Sequence, residues 1–196
     1  MLRKFLALTA LRNRRYAKSE SGAAAVEFAM VALPFFMLLG VILETGIMMF
    51  FEYTLQASVQ KASRLIRTGQ GKVLALTAAN FKTEICKTAG LLMDCAGKVQ
   101  VYVDSDPNGF AALKAKFPSP LSVGSASDGS PGPASFKCGE PLNAVGVVAT
   151  YDWNFVFPFM NFNANTSVTS KRRLTGVVMF SNEPFPVVGA PSATTC

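Results

Sequence analysis

Gly22 is followed by Ala23-Ala24-Ala25-Val26-Glu27-Phe28, so a glycine closing a basic segment opens an apolar run that carries one acid near its start. The chemistry this junction suits is proteolysis, with the chain as substrate. A secretory signal carries its small-residue cleavage site after the apolar core, whereas here the small residues come before it. A cut at the Gly22–Ala23 bond therefore leaves the apolar helix on the mature chain, with a new amino group at Ala23 close in sequence to the Glu27 carboxylate.

The chain is poorly equipped for catalysis of its own. Histidine is absent, which removes the imidazole general base, the Ser-His and Cys-His nucleophile pairs and the imidazole metal ligand. No Gly-x-x-x-x-Gly-Lys phosphate loop and no Gly-x-Gly-x-x-Gly turn occurs. Asp104 and Asp106 could hold a cation or serve in hydrolysis, but Pro107-Asn108-Gly109 follows them and they read as turn formers. No catalytic residue, cofactor or metal is expected.

The four cysteines, Cys86, Cys95, Cys138 and Cys196, all follow the apolar helix. An even set in an oxidising compartment suggests two disulfides, and no C-x-x-C spacing supports zinc. Three pairings are possible. Proximity in sequence favours Cys86 with Cys95, leaving Cys138 for Cys196.

What must position the junction is a membrane helix. Phe28 to Leu43 is uncharged, but at about 1.5 Å per residue it reaches only about 24 Å, short of a hydrocarbon core of about 30 Å. Extension to Phe51 gives about 36 Å, which suffices. Glu44 then lies near the outer interface or faces a partner, since an ionised side chain at the bilayer centre costs about 2.5 to 3.5 kcal/mol. Pro34 removes a backbone donor and should loosen the helix, as membrane spans tolerate. The net charge of +7 is mostly a leader, because residues 1–22 carry +5 of it. Lys and Arg beside an apolar helix favour the cytoplasmic side, so the amino terminus is expected inside and the larger carboxy-terminal part outside.

Gly22-Ala-Ala-Ala-Val-Glu-Phe-Ala-Met-Val-Ala-Leu-Pro34, with Leu43-Glu44-Thr45-Gly46 after it, resembles the TadE-like family of tight-adherence (Tad) pilus proteins. The resemblance is strong over roughly residues 15–67. It implies a minor pilin or pseudopilin of a Tad-type (type IVc) pilus, cut after Gly22 by a prepilin peptidase and acting in pilus assembly, adhesion and biofilm formation. Gly22, Ala23, Glu27 and Phe28 become the processing and recognition residues, and Pro34, Glu44 and Gly46 belong to helix assembly. The implied partners are the bacterial inner membrane, the peptidase, other pilins and the assembly platform. Different classes of function stay open beside this one: a permanently anchored scaffold of the secretion machinery, or a membrane-tethered periplasmic enzyme or ligand-binding domain.

Beyond the membrane the apolar stripe continues through Leu55, Val59, Ala62 and Ile66, until Gly69-Gln70-Gly71 ends the helix. Residues 72–96 read as a shorter helix with a turn, with Val73, Leu76, Phe81 and Ile85 inward. Lys98 to Asp104 alternates as a half-buried strand, and 118–135 is a Pro-, Ser- and Gly-rich loop. Ala144–Phe157 and Ser167–Phe180 read as an antiparallel strand pair joined across Pro158–Thr166. The odd-number spacing of Trp153, Phe155, Phe157 and Phe159 puts them on one sheet face, and with Phe162 they read as core and strand packing. Lys171-Arg172-Arg173 reads as a solvated sheet edge, not a nucleic-acid site. The expected architecture is α+β: a leader at 1–22, a transmembrane helix at 23–51 and an outer domain at 52–196.

Overall fold

In the computed structural model a single helix, α1 (Glu20–Arg67), runs through Pro34 without interruption. The structure describes residues 20–90, 94–118, 135–157, 171–186 and 196. The leader before Glu20, the 119–134 loop, the 158–166 connection with Phe159 and Phe162, and the tail before Cys196 lie outside these residues. After α1 come α2 (Gln70–Val73), α3 (Ala78–Ala89), α4 (Cys95–Lys98), β1 (Gln100–Asp106), α5 (Phe110–Lys116), β2 (Ala144–Asn154) and β3 (Lys171–Ser181). Two compact units are present, Met1–Leu43 and Glu44–Cys196.

In the first unit the helix presents its apolar side chains outward. Phe28, Met30, Val31 and Phe36 are each more than 60% exposed. α1 contains a window of mean hydropathy 2.4, making it long and apolar enough to cross a membrane.

The second unit is α+β. Leu55, Val59, Ala62 and Ile66 recur at helical spacing and are buried, packing on one face of a sheet through Val103, Val145, Val147, Ala149 and Leu174. The sheet is antiparallel with strand order β1-β2-β3. Central β2 is buried from Ala144 to Tyr151, as a strand covered on both faces must be. The other face carries Tyr102, Val148 and Val177 under Phe117, which follows α5. Gly146 admits that ring, for a Cβ there would lie 2.5 Å from it.

α1 stops where the glycines stand. Gly69 has φ 74°, and the Phe185 ring occupies the space a side chain would need, so the left-handed turn and the close approach both demand glycine. Val73 does not face inward: it is 75% exposed while Leu76 is buried. Ala75 at φ 45° turns the chain between them, so the two do not share one helical phase. α3 then begins on Thr77, whose side chain accepts the Asn80 N–H at 3.2 Å, and buries Phe81, Ile85 and Ala89. What reads as a shorter helix with a turn over 72–96 is three short helices.

Both outer strands of the sheet are partly covered. Along β1, Val103 N–H donates to Ser135 O (2.9 Å) and Val103 O accepts from Lys137 N–H (3.0 Å). Along β3, the Gln56 side chain acts as a neighbouring strand, its Oε1 accepting the Val177 N–H at 2.8 Å and its Nε2 donating to Val177 O at 2.9 Å. Gly176 lets α1 come this close, since a Cβ there would lie 3.1 Å from Val59 and 3.3 Å from the Gln56 backbone. Gln56→Ala removes both bonds and is expected to lower stability by ~1–3 kcal/mol, measured as a shift of the urea midpoint at unchanged slope.

Candidate functional site

The Gly22–Ala23 bond lies in the first turn of α1, where the leading N–H groups have no partner within the helix. Glu27 is exposed, as are Pro34 and Gly46, and Phe28 is 71% exposed. A Cβ on Gly46 would meet nothing within 4 Å, so its missing side chain serves no contact among the described residues.

Glu44 differs. Its side chain is buried at 5% exposure, and its two oxygens accept the backbone N–H groups of Val156 (2.6 Å) and Phe157 (3.2 Å). The partner of this acid is thus within the chain. β2 ends at Asn154 and not at Phe157, and the amides of Val156 and Phe157 just beyond it are taken by the helix. Trp153 packs on Phe51 at 4.9 Å between ring centroids, and Phe155 joins the core on the same side.

The cysteines pair as Cys86–Cys95 and Cys138–Cys196, with Cα atoms 5.5 and 5.4 Å apart, separations suited to a disulfide. The first ties α3 to α4. The second holds Cys196 beside Gly71, and the Cys196 N–H donates to Leu76 O at 2.9 Å. At the same end of the domain the side chain of Lys72, only 4% exposed, meets Glu140 at 2.8 Å and lies 5.7 Å from the centre of the Phe185 ring.

Asp104 and Asp106 are occupied by the fold. Asp106 accepts the Asn108 N–H at 2.8 Å and pairs with Lys116 at 2.5 Å. Asp104 accepts from Tyr102 Oη at 3.2 Å and from the Ser105 N–H at 2.9 Å. Among the described residues no group of three His, Cys, Asp or Glu could hold a metal ion. Burial, then the Asp104 charge and hydrogen bond, push the Tyr102 phenol up to about 12.

The Lys116 ammonium, with help from the Asn108 amide, holds the Asp106 carboxyl below the usual carboxylate value. A lowered folded-state value means that the unfolded chain binds more protons near pH 4 and below. The pair's contribution is therefore complete above the unfolded value and is lost as pH falls through the folded one. Asp106→Asn should flatten the fall in stability below about pH 4, read from acid unfolding followed by near-ultraviolet circular dichroism.

The basic run is not simply a solvated edge. Arg172 is exposed, but the Arg173 side chain is 6% exposed and grips Asp152 through two bonds of 2.7 and 2.9 Å. The two are directly opposite in the β2–β3 register, a pairing visible only once that register is known. Gln56 reads in the sequence only as part of the polar face of α1, and its pairing with β3, like the existence of α5, is visible only in the fold. For α5 the signal was Gly109 followed by Leu113 and Phe117 at helical spacing.

No match is found among curated proteins or among solved structures. Over residues 22–64, the stretch that opens on Gly22 and closes three residues before the end of α1, the chain matches the TadE-like protein family.

Proposed function

We propose that this chain is a minor pilin or pseudopilin of a Tad-type pilus, cut after Gly22 by a prepilin peptidase and assembled through its apolar helix. The observation that carries the reading is the family match beginning at Gly22, on a helix whose large apolar side chains from Val26 to Leu39 are exposed among the described residues. Such a helix needs lipid before assembly and other helices after it.

The exposed Glu27 carboxylate is then an intermolecular group. In a low-dielectric bundle it pairs with the Ala23 amino group of a neighbouring subunit, which selects the stagger between helices as much as it adds affinity. The cysteine-bearing unit lies on the outer side of the inner membrane, where both disulfides can persist. It would set which subunits are accepted.

The test is the mass and amino-terminal sequence of the membrane-extracted protein from cells with and without the matching peptidase. A start at Ala23 only when the peptidase is present supports the reading. An intact Met1 form in both sinks it and leaves a permanently anchored scaffold.

A further inference from the structure

The turn between β1 and α5 holds reactive groups that the fold leaves unused. It reads Asp106-Pro107-Asn108-Gly109, the single Asn-Gly step in the sequence. Asn108 is exposed. Its backbone N–H donates to Asp106 Oδ1 at 2.8 Å, an Asx turn. Among the described residues neither its side-chain amide nor the Gly109 N–H has a hydrogen-bond partner. Gly109 has φ 91°, and a Cβ there would meet nothing within 4 Å, so the nitrogen is uncrowded as well as unbonded.

An asparagine amide beside such a nitrogen can react with it. The Gly109 N–H gives its proton to hydroxide, the nitrogen bonds to Asn108 Cγ, and the Cγ–Nδ2 bond breaks to release ammonia, leaving a five-membered succinimide. Water then opens the ring at either carbonyl. One opening gives aspartate. The other gives isoaspartate, in which the main chain runs through Cγ and is longer by one methylene. Glycine hinders closure least, having no side chain. A neighbouring anion would oppose the negatively charged nitrogen, but Asp106 is already paired with Lys116. The other described asparagines, Asn80, Asn143, Asn154 and Asn182, are followed by Phe81, Ala144, Phe155 and Glu183, whose side chains stand in the way.

The place of this step in the fold gives the extra methylene a consequence. Gly109 O accepts the Leu113 N–H at 3.1 Å, and Lys116, in the last turn of α5, reaches back to Asp106. Phe117 follows, edge-on to Tyr102 with ring centroids 5.3 Å apart, and its ring lies over Gly146. Asn108 therefore stands between the two points, Asp106 and Gly109, from which α5 is held. Lengthening the chain between them shifts the helix against the acid that anchors it.

We propose that Asn108–Gly109 is a self-modifying site: in the folded chain Asn108 deamidates through a succinimide, with water as the co-reactant, and the isoaspartyl product unlatches α5 and Phe117 from the sheet.

The test uses the full chain in detergent with its disulfides intact, held at neutral and at mildly alkaline pH and sampled over days. Digestion at mildly acidic pH with a lysine-specific protease releases Val99–Lys114, which contains Asn108. The expected result is the small mass gain of an amide turned acid in that peptide, several-fold faster than at Asn80, Asn143 or Asn154 and faster at the higher pH, with isoaspartate identified by electron-transfer fragmentation. Asn108→Gln, which must close a larger ring, should slow the gain several-fold. An unchanged peptide from the folded chain, beside conversion of the same chain unfolded in urea, means that the fold protects the site and overturns the proposal. Equal gain at every asparagine overturns it too.

Hydrogen exchange at Leu113 and Phe117 reads the unlatching, and should be several-fold faster in the isoaspartyl fraction than in fresh protein. Asn108→Asp, which carries the new charge without the methylene, should exchange as the parent does. Parent-like exchange in the isoaspartyl fraction overturns the unlatching. Equal loosening in Asn108→Asp overturns backbone lengthening as its cause.

Discussion

A chain carrying Cys138→Ala with Cys196→Ala is expected to lose about 4 kcal/mol of stability. The magnitude follows from the 58-residue separation of the two cysteines, since a cross-link that closes a long loop removes more conformational freedom from the unfolded chain. The Cys86–Cys95 bridge, with a separation of 9, should be worth only about 2.5 kcal/mol on the same reasoning. Urea unfolding of the two paired-alanine variants beside the parent checks the ordering. Should the short bridge matter as much as the long one, loop closure is not the source of the stabilisation, and contacts in the folded state must be. The long bridge also has a local duty. The Leu76 carbonyl receives the Cys196 N–H, and Leu76 is a buried residue of the turn that launches α3, so the variant should loosen that turn first. Amide exchange at Leu76 and Thr77 would show it.

On the proposed reading of Gly22–Ala23 as the cut site, Gly22→Leu is expected to suppress processing. A peptidase must draw the scissile bond into an extended conformation, and the first turn of α1 can give it up because its leading N–H groups are unbonded within the helix. A branched side chain at the position before the cut both stiffens that turn toward the helix and bars the close backbone approach that glycine permits. Processing should fall at least about tenfold, the change produced by ~1.4 kcal/mol of lost transition-state stabilisation. Pulse-chase labelling with separation of the long and short forms measures it directly. Glu27→Gln separates recognition from assembly. Normal processing with poor entry into sheared filaments marks the carboxylate as an assembly group. Loss of processing as well would make it part of what the peptidase reads.

Features that depend on neighbours in the chain were legible in the sequence, and features that depend on distant partners were not. The helix through Ile66 follows from an apolar stripe with a 3.6-residue period, and its end at Arg67 from the glycines at 69 and 71. The antiparallel pairing of Ala144–Asn154 with Lys171–Ser181 follows from two β-branched, aromatic-rich runs within reach of one connection. By contrast, the acceptor role of Glu44 spans 112 residues and that of Gln56 spans 121, and nothing local marks either side chain as reserved. Arg173 looked like a member of a solvated triplet because its partner Asp152 is opposite only in the folded register. Val73 misled for a different reason: it fits the helical period, but the backbone turns at Ala75 before that period can be used.

The amide of Gln56, lying along β3, bears on how such subunits survive at high local concentration. A sheet edge with free N–H and C=O groups is a template for pairing with the next copy, and it does not discriminate between ordered assembly and amyloid-like stacking. By supplying a side chain where a foreign strand would bind, the helix makes β3 of one molecule unattractive to β3 of another at its middle. Under the proposed pilin reading, crowded subunits would then recognise one another through helices, with recruitment by strand addition suppressed before any filament begins.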